Sequence, residues 1–105
     1  MTLIALALLL LTAAPTTWKD APIIDVSCAT DAAAKPDGHT RDCALDCADG
    51  GFVIVVNGDV LKLDAKGNEL ALAALKATKK TEKLRVTVVG ERTGDTIKVQ
   101  SLTLQ

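Results

Sequence analysis

The stretch Gly51–Asn68, GFVIVVNGDVLKLDAKGN, decides how this chain folds. Two runs that read as strand, Phe52 to Val56 and Val60 to Leu63, flank Asn57, Gly58 and Asp59. Asn-Gly is the strongest short hairpin signal, because both residues accept positive φ in a tight turn. The segment therefore reads as a β-hairpin. Beyond it, ELALAALKA (Glu69 to Ala77) carries Leu70, Ala73, Ala74 and Ala77 as a stripe at helical spacing, widened by Leu72 and Leu75, with Asn68 as its expected cap.

Alternation resumes further on. Leu84, Val86 and Val88 share one parity and Arg85 and Thr87 the other, the pattern of a half-buried strand. Gly90 to Asp95 (GERTGD) is expected to turn the chain into a last strand, Thr96 to Leu104. In that strand Ile97 and Val99 are odd but Leu102 and Leu104 are even, so the phase slips near Gln100 and Ser101, as at a bulge.

Upstream of the hairpin, DAPIIDVS (Asp20 to Ser27) is expected to form the first strand, leading directly into Cys28. Pro36, Asp37 and Gly38 punctuate a loop, after which Thr40 is a suitable N-cap for a short helix from Arg41 to Ala48. That helix puts Cys43 and Cys47 at i and i+4, on one face. The expected fold is thus mainly β: five strands, one helix between the third and fourth, and a short Cys-bearing helix between the first and second. Such connectivity is that of a small OB-like barrel.

The amino-terminal residues MTLIALALLLLTAAPTT read separately from this domain. Leu3 to Leu11 is a continuous apolar run without charge, followed by small residues. It has the form of a secretory signal peptide, and is shorter than the roughly 20 apolar residues of a transmembrane helix. Residues 1–17 are therefore expected to be a signal peptide or an uncleaved N-terminal anchor, and 18–105 a single OB-like domain. The protein is expected in the periplasm or outside the cell, touching a membrane only if the amino-terminal segment remains attached.

A formal net charge of −1 supplies no long-range field to attract nucleic acid, and Trp18 and Phe52 are the whole aromatic set. Nucleic acid is therefore not an expected partner. The basic cluster KATKKTEK, with Lys76, Lys79, Lys80 and Lys83, reads as a solvated helix end and linker.

The succession IIDVSC, HTRDCALDC, GGFVIVV, NGDVLKLD and LRVTVVGERTGDTIKVQSL resembles a family of small exported bacterial proteins of unknown function. Asp25 and Cys28 match its Asp-x-x-Cys, His39, Cys43 and Cys47 its His-x3-Cys-x3-Cys, and Gly94, Asp95, Ile97 and Val99 its ending. Ala29 and Pro22 depart from the pattern, where members often carry a glycine and an aromatic. The resemblance implies the barrel and the grouping of the polar side chains, and brings no established activity.

Three chemistries suit Cys28, His39, Cys43 and Cys47. Three thiolates and an imidazole fit a closed tetrahedral zinc site, or a copper ion, in a non-enzymatic metal-binding protein. Asp25 and Asp42 would then stand as outer partners, Asp25 through a hydrogen bond to His39. Alternatively, a disulfide from Cys28 to Cys43 or Cys47 would staple a ligand- or protein-binding module of the cell envelope. Closing a loop of that size contributes roughly 3 kcal/mol in the chain-entropy model. Thirdly, Cys43 in the first turn of a helix beside His39 suits a thiol redox protein.

Overall fold

The computed structural model describes residues 14–105, with the backbone alone at 30 and 31. Most of the expected signal peptide or anchor, residues 1–13, lies outside the described residues. The strands are β1 (Thr16–Asp25), β2 (Phe52–Val56), β3 (Asp59–Leu63), β4 (Arg85–Thr93) and β5 (Thr96–Leu104). Three α-helices join them: α1 (Ala29–Ala32) and α2 (Arg41–Asp46) between β1 and β2, and α3 (Ala65–Ala77) between β3 and β4. Among the described residues no helix is long and apolar enough to cross a membrane.

The strands close in the order β1-β2-β3-β5-β4, with β4 returning to β1. Every pairing is antiparallel except the short one between β3 and β5, where Lys62 and Leu63 face Thr96 and Ile97. This is the closed five-stranded barrel that the strand order implied. The hairpin forms as expected: Val56 pairs with Asp59 around Asn57 (φ 50°) and Gly58 (φ 84°), both left-handed, as a two-residue turn requires.

The interior is built from alternate residues of each strand, including Ile23, Ile54, Leu61, Val86, Val88 and Ile97, around Phe52, all at most 2% exposed. A second cluster of Ile24, Ala29 and Val53, with Cys28 packed on it, lies under the β1–β2 connection. The opposite parity of Ile23 and Ile24 assigns them to different faces of β1, and hence to different clusters.

The phase slip in β5 is a bulge. Val89 pairs with Ser101 and Gly90 with Val99, leaving Gln100 as the additional residue. Gly90 is required there, because a Cβ at this position would run into the Lys98 carbonyl oxygen.

Several boundaries differ from the sequence reading; among them β1 ends at Asp25 and not Ser27, and α2 at Asp46 and not Ala48. The first strand begins at Thr16, where Thr16, Thr17 and Trp18 pair with Gly90, Val89 and Val88, and a register shift with Asp20 at φ 54° separates this part from Ala21 onward. α3 begins at Ala65 because Asp64 caps it, its Oδ1 accepting from the Gly67 N–H at 3.0 Å. Asn68 instead ties the helix to β2, its Oδ1 accepting from the Phe52 N–H at 2.9 Å. Finally, β4 continues to Thr93, and the turn before β5 consists of Gly94 and Asp95 alone.

Candidate metal centre

Asp25 ends β1 opposite Phe52, on the face it shares with Ile23, and is fully buried. The chain leaves the sheet here instead of running straight to Ser27, because Asp25 caps a 3-10 turn, Val26–Cys28. Its Oδ2 accepts the Cys28 N–H at 3.1 Å. The cap folds Cys28 back over the carboxylate. Asp-x-x-Cys is therefore a local structural signature as well as a pair of chemical groups.

His39 arrives from the other side of the connection. A series of turns ends in the 3-10 turn Pro36–Gly38, whose backbone receives the His39 N–H through the Pro36 carbonyl at 3.2 Å. Arg85 holds this turn to the barrel wall by a 2.6 Å contact from Nη2 to Asp37 Oδ1. Beyond His39, the Thr40 hydroxyl accepts from the Cys43 N–H at 3.2 Å and starts α2. Arg41 then anchors α2 on the end of α3, with Nε donating to the Leu75 carbonyl at 2.7 Å and Nη2 to that of Lys76 at 3.1 Å. Ala44 enters the main core. Together these contacts press His39 onto the barrel end, leaving it 7% exposed.

Asp25 and His39 are the buried polar side chains among the described residues. His39 Nε2 stands 2.7 Å from Asp25 Oδ1. Neither atom completes a well-aligned hydrogen bond there or elsewhere among the described residues. Buried nitrogen and oxygen left in this condition are uncommon, and from 2.7 Å they need to part by about 0.6 Å to share a zinc ion. One ligand atom each from Asp25, Cys28 and His39 lies within 4.8 Å of the others. Atoms bound to a single zinc ion stand about 3.3 to 3.9 Å apart, so small side-chain adjustments suffice for a common ion. The buried group is thus able to hold a metal.

The remaining expected ligands lie further out. Cys43 and Cys47 keep their helical spacing, with the Cys47 N–H donating to the Cys43 carbonyl at 3.3 Å, but they do not belong to the close group. Cys43 is exposed and Cys47 half-buried. All three thiols are free, so the expected alternative of a disulfide from Cys28 to Cys43 or Cys47 is not formed. The docking of α2 through Ala44 and Arg41 fixes the helix with Cys43 turned to solvent. Asp42 is exposed as well, beside Arg41 at 3.7 Å and apart from the group.

Electrostatics still link the three sulfurs. Burial pushes the Cys28 thiol up, the neighbouring Asp25 carboxylate and its hydrogen bond add to this, and Cys47 and Cys43 act in the same direction. The cluster's arrangement follows from local capping at Asp25 and Thr40 together with long-range docking of Arg41 and Arg85. Sequence spacing singled out Asp25 only as an outer partner. Its inward-facing parity with Ile23 was the signal that it sits at the centre. Comparison of the chain with family models, with curated proteins and with solved structures finds no match.

Proposed function

We propose that this is a small exported, non-enzymatic protein that binds a transition metal, with zinc as the preferred ion and copper as the alternative. The convergence of Asp25, Cys28 and His39 at the barrel end carries the reading. Thiolate, imidazole and carboxylate together are the donor types zinc accepts, whereas Cu(I) is better served by sulfur alone. Asp25 moves from outer partner to ligand, because it contributes an oxygen to the group itself. Cys47 and Cys43, whose charges act on Cys28, are the candidates for completing the site.

Two further observations support this assignment over a thiol enzyme. His39 turns its Nε2 to Asp25 and groups with Cys28, whereas Cys43, the thiol suited to redox chemistry, lies outside that group. A free Cys28 held against Asp25 and His39 in an exported chain is also accounted for by a metal that keeps the thiol from oxidation.

The test is metal analysis of the purified native protein, with thiols counted by alkylation before and after chelation. About one zinc per chain, with thiols becoming reactive on chelation, is expected. A saturating excess of zinc, about 100 times its Kd, should add about 2.7 kcal/mol of stability to the metal-free protein. A chain isolated without metal, whose stability zinc and Cu(I) both leave unchanged, would overturn the proposal.

A further inference from the structure

The bulge at Gln100 has a second effect, on the open edge of β5. The Gln105 N–H donates to the Arg85 carbonyl at 3.0 Å, so beyond the bulge the odd residues of β5 turn their backbone groups to β4. The even residues Leu102 and Leu104 therefore turn theirs away from the ladder. Before the bulge the parity is reversed, and there the outward groups are satisfied by Asp64. Its Oδ1 accepts from the Val99 N–H at 3.2 Å, and its own N–H donates to the Ile97 carbonyl at 3.0 Å. No such partner serves Leu102 or Leu104 among the described residues, since β3 pairs with β5 only at Thr96 and Ile97.

Helix α3 covers one half of this edge and leaves the other open. At its start Gly67 lies against Val99, with no room for a Cβ. At its end the small side chains of Ala74 and Ala77 face Leu102 and Leu104 across a groove of about 620 Å³, largely apolar in lining. Lys79 and Lys80, both exposed, form part of its wall.

We infer that this groove takes an extended acidic peptide segment of a partner protein, bound as an added strand on the Leu102–Leu104 edge of β5. Backbone hydrogen bonds to the edge would supply affinity, the floor would accept alternate apolar side chains, and the lysines would select acidic ones. Neither aromatic side chain lines the groove, so the stacking platform of a single-stranded nucleic acid is missing there. A lysine rim also opposes pairing with a second copy, which would bring like charges together.

The probe is a fluorescein-labelled decapeptide of alternating valine and glutamate, titrated into the full chain by fluorescence polarisation. Binding is expected to saturate, to weaken with salt, and to fall on the order of tenfold in K79E/K80E. N-methylating alternate residues along one edge of the peptide should weaken binding by on the order of tenfold, without altering the protein. Hydrogen exchange at the Leu102 and Leu104 amides should slow on binding. Failure of the peptide to bind at millimolar concentration, or indifference to N-methylation, would overturn the inference. So would protection of these amides by self-association, or stronger binding of a single-stranded oligonucleotide at the same groove.

Discussion

Asp25 Oδ1 and His39 Nε2 meet at 2.7 Å beside a closed β-barrel, where one residue ends the first strand and the other comes from the connection to the second. Both side chains are buried, and Cys28 is held beside them by the hydrogen bond from its N–H to Asp25. Retaining a carboxylate and an imidazole in such a place is costly unless each compensates the other or an ion compensates both. Removing either partner should therefore expose the cost.

His39→Ala should lower the stability of the metal-free protein by about 3 kcal/mol, because the Asp25 carboxylate stays buried without its neighbour. Adding Asp25→Asn should recover about half of this, since the amide removes the charge and still accepts from the Cys28 N–H. Urea unfolding in the presence of chelator measures both. Equal stabilities of the single and double variants would show that the Asp25 charge costs nothing once His39 is gone.

Zinc affinity should fall at least about a hundredfold in Cys28→Ser and His39→Ala, and about ten- to a hundredfold in Asp25→Asn. Cys43→Ser and Cys47→Ser should have smaller effects, because neither sulfur belongs to the close group. Competition with a chromophoric chelator ranks the variants. If Cys43→Ser proved as damaging as Cys28→Ser, the site would be centred on α2.

In metal-free protein, iodoacetamide should modify exposed Cys43 first and Cys28 last, with the pH profile of Cys28 displaced to the alkaline side. The fold favours protonated Cys28, so this contribution to stability is complete below the pKa of the unfolded thiol, about 8.5. It is lost as pH rises from there through the higher folded pKa. Peptide mapping after timed alkylation gives the order, and Cys28→Ser should flatten the alkaline part of the stability curve.

Asp64→Ala removes two hydrogen bonds at once: the cap on Gly67 and the partner of the Val99 N–H. A loss of about 2 to 3 kcal/mol is expected, larger than for a helix cap alone. Thermal unfolding beside Asn68→Ala would also separate the true cap from the residue that the sequence suggested.

Of two shortened chains, one beginning at Pro15 and one beginning at Lys19, the second should melt lower. The second lacks the pairing of Thr16, Thr17 and Trp18 with β4. Identical melting temperatures would mean that this end of β1 adds nothing to the barrel.

Much of the scaffold was legible because its causes are local. The Asn57-Gly58 turn, the Thr40 cap and the parity change around Gln100 each specify backbone geometry within a few residues. The start of α3 was not. Gly67 looks like a helix breaker, yet it is the residue that lets the helix lie against Val99, a contact far away in sequence. The length of β1 was hidden for a similar reason: Thr16 and Thr17 become strand because β4 offers them partners.

The candidate site divides along the same line. By itself the sequence determined which chemical groups were present and placed Cys43 and Cys47 on one helix face, because helical spacing is short-range geometry; the turn that Asp25 caps read as continuing strand. Only the tertiary structure decided that Asp25, Cys28 and His39 form the close group while Cys43 faces solvent. That choice depends on how Arg41, Ala44 and Arg85 dock the β1–β2 connection against the barrel, and such long-range contacts leave no periodic trace in the chain.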